Sequence, residues 1–321
     1  MNHCRILDVE YYLPHQIRTN RDIEAVCPDF RAEKIEKKVG IVCRHIVDFD
    51  ETALDLAEKA CRKLLANHDK SQIDYLLLCT QSPDYKLPTS ACILQDRLGL
   101  EKNIGALDFN LGCSGFVYGL SLAKGLILSG TAKNVLLVTA ETYSRYIARG
   151  DKSNMSIFGD AAAATIITRS EEPGIGLFEL GTDGSGCKNL IVRNGGSRNR
   201  IAGPEDETLF MDGPEIFNFT LATVPGLVER VLKKNKYDII SVDYFIFHQA
   251  NKYMLKTLQG LMNIPEDKFH IELRDTGNTV SSTIPIALKQ AWEKGRVSPG
   301  DHLVLAGFGV GYSYGAVTIT L

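Results

Sequence analysis

The stretch GALDFNLGCSGF, Gly105 to Phe116, runs from an apolar strand through a cysteine flanked by small residues into a helix. Gly105 to Asn110 reads as a buried strand. Gly112, Ser114 and Gly115 permit a tight strand-to-helix turn that holds Cys113 out at the edge of a sheet. A helix then follows to near Gly130. The unpaired N–H groups and positive dipole at its start are expected to lower the thiol pKa and favour the thiolate. Moving outward, Asp50-Glu51-Thr52 opens an amphipathic helix with Ala53, Leu54, Ala57, Ala60, Cys61, Leu64 and Leu65 on helical spacing. Ile73 to Cys79 (IDYLLLC), Asn134 to Ala140 (NVLLVTA) and Ala161 to Thr168 (AAAATIIT) are apolar strands, and residues 90–99 form a helix. Strands that are apolar throughout, separated by helices, predict an α/β protein whose sheet is covered on both faces.

The later part of the chain repeats the recipe. Helices are expected over Pro214 to Lys233, Asn251 to Met262 and Thr279 to Lys294, with strands at Tyr244 to Phe247, His302 to Ala306 and Ala316 to Leu321. Ser156-Ile157-Phe158-Gly159-Asp160-Ala161 leads into one terminal strand much as Tyr312-Ser313-Tyr314-Gly315-Ala316 leads into the other. This parallel suggests two related halves, residues 1–170 and 171–321. The Gly-, Asn- and Arg-rich stretch from Gly181 to Pro204 reads as an exposed insertion.

The 321 residues carry a net charge of −3, which offers nothing to a nucleic-acid backbone. No apolar run approaches the roughly 18 residues of a membrane span, and the first residues lack the apolar core of a signal peptide. A soluble cytoplasmic protein is expected. The eight cysteines are scattered with no CxxC pair, so neither a zinc site nor a dithiol motif is expected, and no metal or cofactor is called for.

His248 ends an apolar strand just before a helix, on the edge where open α/β sheets build their sites. Asn278 lies in Asp275-Thr276-Gly277-Asn278-Thr279, directly before an expected helix that it would suit as an N-cap. Gly307 to Gly315 is glycine-rich, so its backbone can approach a ligand closely. An N–H of the Gly309–Val310 stretch is a candidate oxyanion donor. Each feature alone has a structural explanation, such as a packed thiol, a satisfied histidine or a glycine hairpin. Cys113, His248 and Asn278 together, each at an element junction beside small residues, point to nucleophilic catalysis.

In order and spacing, Asn110-Leu111-Gly112-Cys113-Ser114-Gly115-Phe116, Phe158-Gly159-Asp160, His248-Gln249-Ala250-Asn251 and Gly277-Asn278-Thr279 resemble the β-ketoacyl-acyl-carrier-protein synthase III family of thiolase-like condensing enzymes. The resemblance runs from Gly40-Ile41…Arg44-His45-Ile46 to the C-terminal GFGVGYSYGA. It implies a five-layered αβαβα fold of two similar halves, usually a homodimer. It also implies acyl transfer from a thioester to Cys113, then decarboxylative condensation with a malonyl thioester on acyl carrier protein. His248 and Asn278 would donate to the second thioester's oxygen, and the N–H groups of Cys113 and Gly309–Val310 would hold the oxyanion of the tetrahedral intermediates. Lys34 and Lys38 stand where many relatives that use coenzyme A thioesters carry Trp and Arg, and Lys152 stands where they carry a second Arg. Lysine neither stacks nor binds in a bidentate fashion, so a carrier-bound donor or a different coenzyme A pose is implied. Leu87 aligns with a residue that helps close the partner subunit's acyl pocket.

A papain-like protease also orders Cys, His and Asn this way, but there an aromatic residue follows the cysteine, whereas Ser114 and Gly115 follow here. Acyl transfer to a non-malonyl acceptor keeps the same fold and nucleophile. The presence of both His248 and Asn278 favours condensation over it. A non-catalytic binding subunit is disfavoured by the cysteine itself.

Overall fold

A computed structural model describes residues 3–199 and 207–321. Residues 3–170 carry β1 (His3–Tyr12), β2 (Gln16–Thr19), α1 (Asn20–Val26), α2 (Ala32–Val39), β3 (Cys43–Ile46) and α3 (Ala53–Leu65). They continue with β4 (Tyr75–Cys79), α4 (Ser90–Leu98), β5 (Gly105–Phe109), α5 (Gly115–Leu128), β6 (Asn134–Glu141), α6 (Lys152–Met155) and β7 (Ala161–Ser170). Beyond them lie β8 (Ile175–Thr182), β9 (Leu190–Val192), β10 (Leu209–Met211), α7 (Gly213–Asn235) and β11 (Tyr244–Phe247). The chain ends with α8 (Lys252–Leu261), α9 (Thr283–Glu293), β12 (His302–Gly309) and β13 (Ser313–Thr320).

Two sheets organise these elements. The first has the order β1-β7-β6-β4-β5, and the second β11-β12-β13-β8. In the first, the parallel strands β6, β4 and β5 are extended by antiparallel β7 and β1; in the second, the parallel pair β11 and β12 is extended by antiparallel β13 and β8.

Alternation along the strands separates the layers. Leu77, Val135 and Leu137 face inward and share a core with Tyr244, Ile246, Leu303 and Leu305 of the second sheet. Between them lie α5 (Phe116, Val117, Leu120) and α9 (Ile284, Ala287, Leu288). Leu76, Leu78, Leu136 and Val138 face the other way onto α3 and α4. Phe245, Phe247, Val304 and Ala306 do the same onto α7 and α8. Helix, sheet, helix, sheet, helix: the five-layered αβαβα arrangement follows from two sheets that are both apolar on both faces. Burying one such leucine side chain contributes about 1.5–3 kcal/mol.

Local chemistry supports the layers. Thr52 and Asp55 form a capping box at the start of α3, with Thr52 Oγ1 accepting from the Asp55 N–H and the carboxylate accepting from the Thr52 N–H. Gly115 lets α5 approach β4, because a Cβ there would lie 2.3 Å from Cys79 Sγ.

Three expectations need correction. The helix expected from Thr279 begins at Thr283, after a single tight turn over Val280–Ser282, because Val280 has φ 55 and cannot continue a right-handed helix. The strand expected to stop at Ala306 continues through Gly309, and the hairpin turn follows it. The stretch from Gly181 is not simply an exposed insertion: Leu190 is 6 % exposed and packs with Cys113, while residues 200–204 fall outside the described residues. Among the described residues, no helix is long and apolar enough to cross a membrane.

Candidate active site

Cys113, His248, Asn278 and Gly309 line one cavity with an empty volume of about 570 Å³. Phe308, Leu190, Met211, Ile216 and Met254 complete much of its apolar wall. The four arrive from separate elements. Cys113 follows β5, His248 follows β11, Gly309 ends β12, and Asn278 bridges to Phe158. The ends of the parallel strands therefore converge on one place, as open α/β sheets dispose their sites.

Cys113 sits in a turn closed by the Gly115 N–H donating to Gly112 O at 2.8 Å. Gly309 packs directly against it, and a Cβ at Gly309 would lie 2.8 Å from Cys113 Sγ. The N–H groups of Val310 and of Cys113 itself favour the thiolate, but burial outweighs them and pushes the thiol up to about 12. The depressed pKa expected from the helix start is therefore corrected. At rest Cys113 is a protonated thiol.

His248 is 2 % exposed, and its backbone N–H donates to Ala306 O at 2.8 Å. Its Nδ1 lies 2.7 Å from Thr283 Oγ1, and its Nε2 lies 3.5 Å from Asn278 Nδ2. Burial pushes it down to about 3, so the imidazole is neutral. The Phe308 ring meets it edge-on, with centroids 5.8 Å apart.

Asn278 is not the cap of α9, which has Ser282 before it. Its backbone N–H donates to Ile157 O at 2.9 Å, and its carbonyl accepts from the Gly159 N–H at 3.0 Å. Its Oδ1 accepts from the Val280 N–H at 2.9 Å, which turns Nδ2 toward His248. The motif Phe158-Gly159-Asp160 is thus the shelf on which Asn278 rests.

Sequence reasoning overlooked Thr283, and also Glu141 at the end of β6. Glu141 is fully buried and accepts from the Gln81 N–H, Ser82 Oγ and Ser281 Oγ at 3.1–3.2 Å. Burial pushes its carboxyl up to about 8. A glutamate ending an apolar strand was the available signal.

The expected substrate-binding residues are not in this cavity. Lys34 and Lys38 are exposed on α2, and Lys152, the first residue of α6, is ion-paired with Asp29. Leu87 is 83 % exposed and lines a separate, wider cleft with Tyr143, Leu190 and Val310.

Residues 107–184 match the family described as 3-oxoacyl-[acyl-carrier-protein (ACP)] synthase III, and residues 232–321 match its C-terminal part. The β-ketoacyl-[acyl-carrier-protein] synthase III of Fusobacterium nucleatum is 36% identical over 327 aligned residues, covering 99% of both chains. A crystal structure of a 3-oxoacyl-(acyl-carrier-protein) synthase III superposes with a TM-score of 0.97 at 46% identity, covering 99% of this chain and 100% of that one. The priming β-ketosynthase of the R1128 polyketide biosynthetic pathway superposes with a TM-score of 0.93 at 29% identity, covering 99% and 96%.

Proposed function

The chain belongs to the 3-oxoacyl-[acyl-carrier-protein] synthase III family of acyl-transferring condensing enzymes, and on that premise we propose that Cys113 is its acyl carrier and that His248 and Asn278 are its oxyanion donors. The support lies in the convergence of Cys113, His248, Asn278 and Gly309 on one apolar cavity, each from a different element.

Chemistry would run in two stages. The Cys113 sulfur bonds to the acyl carbon of a thioester while the donor's C–S bond breaks, and the thiol proton ends on the departing thiol. Burial keeps Cys113 protonated at rest, so the nucleophile is released only as substrate arrives. The N–H groups of Cys113 and Val310 stabilise charge on the tetrahedral intermediate, with Gly309 allowing the close approach. A malonyl thioester then loses carbon dioxide, and the enolate carbon attacks the Cys113 acyl group. Cys113 leaves and takes up a proton. His248, neutral through burial, and the Asn278 amide face the oxygen on which the enolate charge builds. Neutral donors stabilise that charge without protonating the carbon nucleophile early.

The same reading makes acyl carrier protein the partner, the cytoplasm the location and a homodimer the working form. Leu87 would reach a second copy of the chain, and residues 1–170 and 171–321 would be the two similar halves. With Lys34 and Lys38 exposed on α2 and Lys152 tied to Asp29, a weak grip on coenzyme A follows, so carrier-bound donors should acylate faster than coenzyme A thioesters at equal concentration. Intact-protein mass spectrometry with peptide mapping should find the acyl mass on Cys113, and malonyl-carrier protein should release carbon dioxide. Protein that acylates readily yet decarboxylates no malonyl thioester would refute the condensing reaction.

A further inference from the structure

Val280 is a β-branched residue, fully buried and held at φ 55. Such a side chain is disfavoured in the left-handed region, and the conformation persists only where the surroundings over-determine it. Both backbone polar groups of Val280 are in use at the candidate site. Its N–H donates to Asn278 Oδ1 at 2.9 Å, which turns the amide Nδ2 toward His248. Its carbonyl accepts from Thr283 Oγ1 at 3.0 Å, and that hydroxyl lies 2.7 Å from His248 Nδ1. One strained residue therefore sets both the direction of the Asn278 amide and the seat of the imidazole.

The next two residues are tied to the end of β6. Ser281 Oγ donates to Glu141 Oε1 at 3.1 Å, and Ser282 Oγ donates to Thr139 O at 3.1 Å. Glu141 is itself fixed from a third segment, by the Gln81 N–H and Ser82 Oγ at 3.1–3.2 Å. Glu141, Ser281 and Ser282 are buried, and none of them lines the cavity. A carboxyl is a costly group to bury, and an apolar side chain of its size would fill the same space without that desolvation. What the carboxyl adds is an acceptor for Ser281, 140 residues away in sequence, beside the strained residue.

We propose that Glu141, acting through Ser281, is a positioning residue: it holds the Val280–Ser282 turn in its left-handed form and so sets Asn278 and His248 for the second stage. The inference rests on the condensing reaction proposed above.

Ser281→Ala removes the hydroxyl that reaches Glu141 and leaves every cavity-lining residue unchanged. Val280 then relaxes toward negative φ, and its N–H turns away from Asn278. Carbon dioxide release from malonyl-carrier protein should fall about 10- to 100-fold, since a misplacement of about 1 Å at a reacting centre costs roughly 100-fold. Acylation of Cys113, followed by mass spectrometry on the same preparation, should stay near wild type. Glu141→Gln keeps an acceptor oxygen for Ser281 and should retain most of the decarboxylation, whereas Glu141→Met should lose it as Ser281→Ala does. Glycine adopts positive φ freely, so Val280→Gly lessens the need for the latch. In that background the loss caused by Ser281→Ala should shrink by about 3-fold or more, the coupling expected of residues that act as one unit.

Decarboxylation at the wild-type rate in Ser281→Ala would overturn the inference, as would equal losses in both activities or an undiminished loss in the Val280→Gly background. A wild type that never decarboxylates would instead reject the condensing reaction. The Asn278 side-chain amide resonances, identified by their loss in Asn278→Ala, would then decide the role of the latch alone. A shift in Ser281→Ala that Glu141→Gln does not reproduce supports it, and any other pattern counts against it.

Discussion

Gly309→Ala tests the placement of Cys113, the proposed nucleophile, most directly. A methyl group added at Gly309 meets Cys113 Sγ at 2.8 Å and Cys113 Cβ at 2.9 Å, where ordinary contacts begin at 3.4 Å. The thiol side must therefore retreat by about 0.5–0.6 Å, the shortfall against packing distance in a close-packed interior. Little room exists behind it, because Tyr143, Phe158 and Val280 are all buried against Cys113. Overpacking of this kind costs about 1–3 kcal/mol of stability. Since a misplacement of about 1 Å at a reacting centre costs roughly 100-fold, acylation should slow by about 10- to 100-fold. The assay is the rate of mass gain on Cys113 with a short acyl thioester, alongside a thermal melt. Gly260→Ala on α8 is the control: no atom lies within 4 Å of its added Cβ, so it should leave acylation unchanged and add up to about 1 kcal/mol of helix stability. A folded Gly309→Ala that acylates at the wild-type rate would refute the packing argument.

Asn278→Ala should slow malonyl decarboxylation by about 100- to 1,000-fold while Cys113 acylation stays nearly intact, read on one preparation by carbon dioxide release and mass spectrometry. Loss of acylation to the same degree would mean that Asn278 supports the fold rather than the second stage. Glu141 keeps its proton in the folded chain up to about 8 but loses it near 4.5 when unfolded, so its stabilising contribution is complete below about 4.5 and is lost as pH rises to 8. Denaturant titrations at several pH values should therefore show Glu141→Gln gaining on wild type by up to about 1.4 kcal/mol per pH unit across that window. A difference that does not vary with pH would contradict a buried, proton-retaining carboxyl. Leu87, 83 % exposed beside a cleft, should be the anchor of self-association, so Leu87→Asp should shift sedimentation toward the monomer at micromolar concentration. Unchanged sedimentation would remove Leu87 from the interface.

Much of the architecture was legible because it is written in local periodicity. The runs YLLLC, NVLLVTA and AAAATIIT are strands covered on both faces, and both the capping box at Thr52 and the small residues around Cys113 act within a few residues of themselves. The start of α9 was not legible, because only its packed surroundings hold Val280, a β-branched residue, at positive φ. Nor was the extension of β12 through Gly307 and Gly309, glycines with weak strand preference that are needed there because Cys113 and Ser114 press against them. Leu190 sits in a polar, glycine-rich stretch whose composition predicts exposure, yet it is drawn into the apolar cluster around Cys113.

Within the candidate site, the sequence by itself picked out the residues proposed to carry chemistry: a cysteine at a strand-to-helix turn, a histidine at a strand end and an asparagine beside a glycine. The tertiary structure decided their states. The helix dipole at Cys113 is a local property, and by itself predicts a lowered pKa. Desolvation is a property of everything packed around the thiol, and it wins, pushing the thiol up to about 12. His248 and Thr283 lie 35 residues apart in sequence, and only the fold brings Nδ1 to 2.7 Å from that hydroxyl. Sequence patterns report short-range backbone preference and the sidedness of elements, whereas protonation and hydrogen-bond direction depend on dielectric surroundings and on partners that distant segments supply.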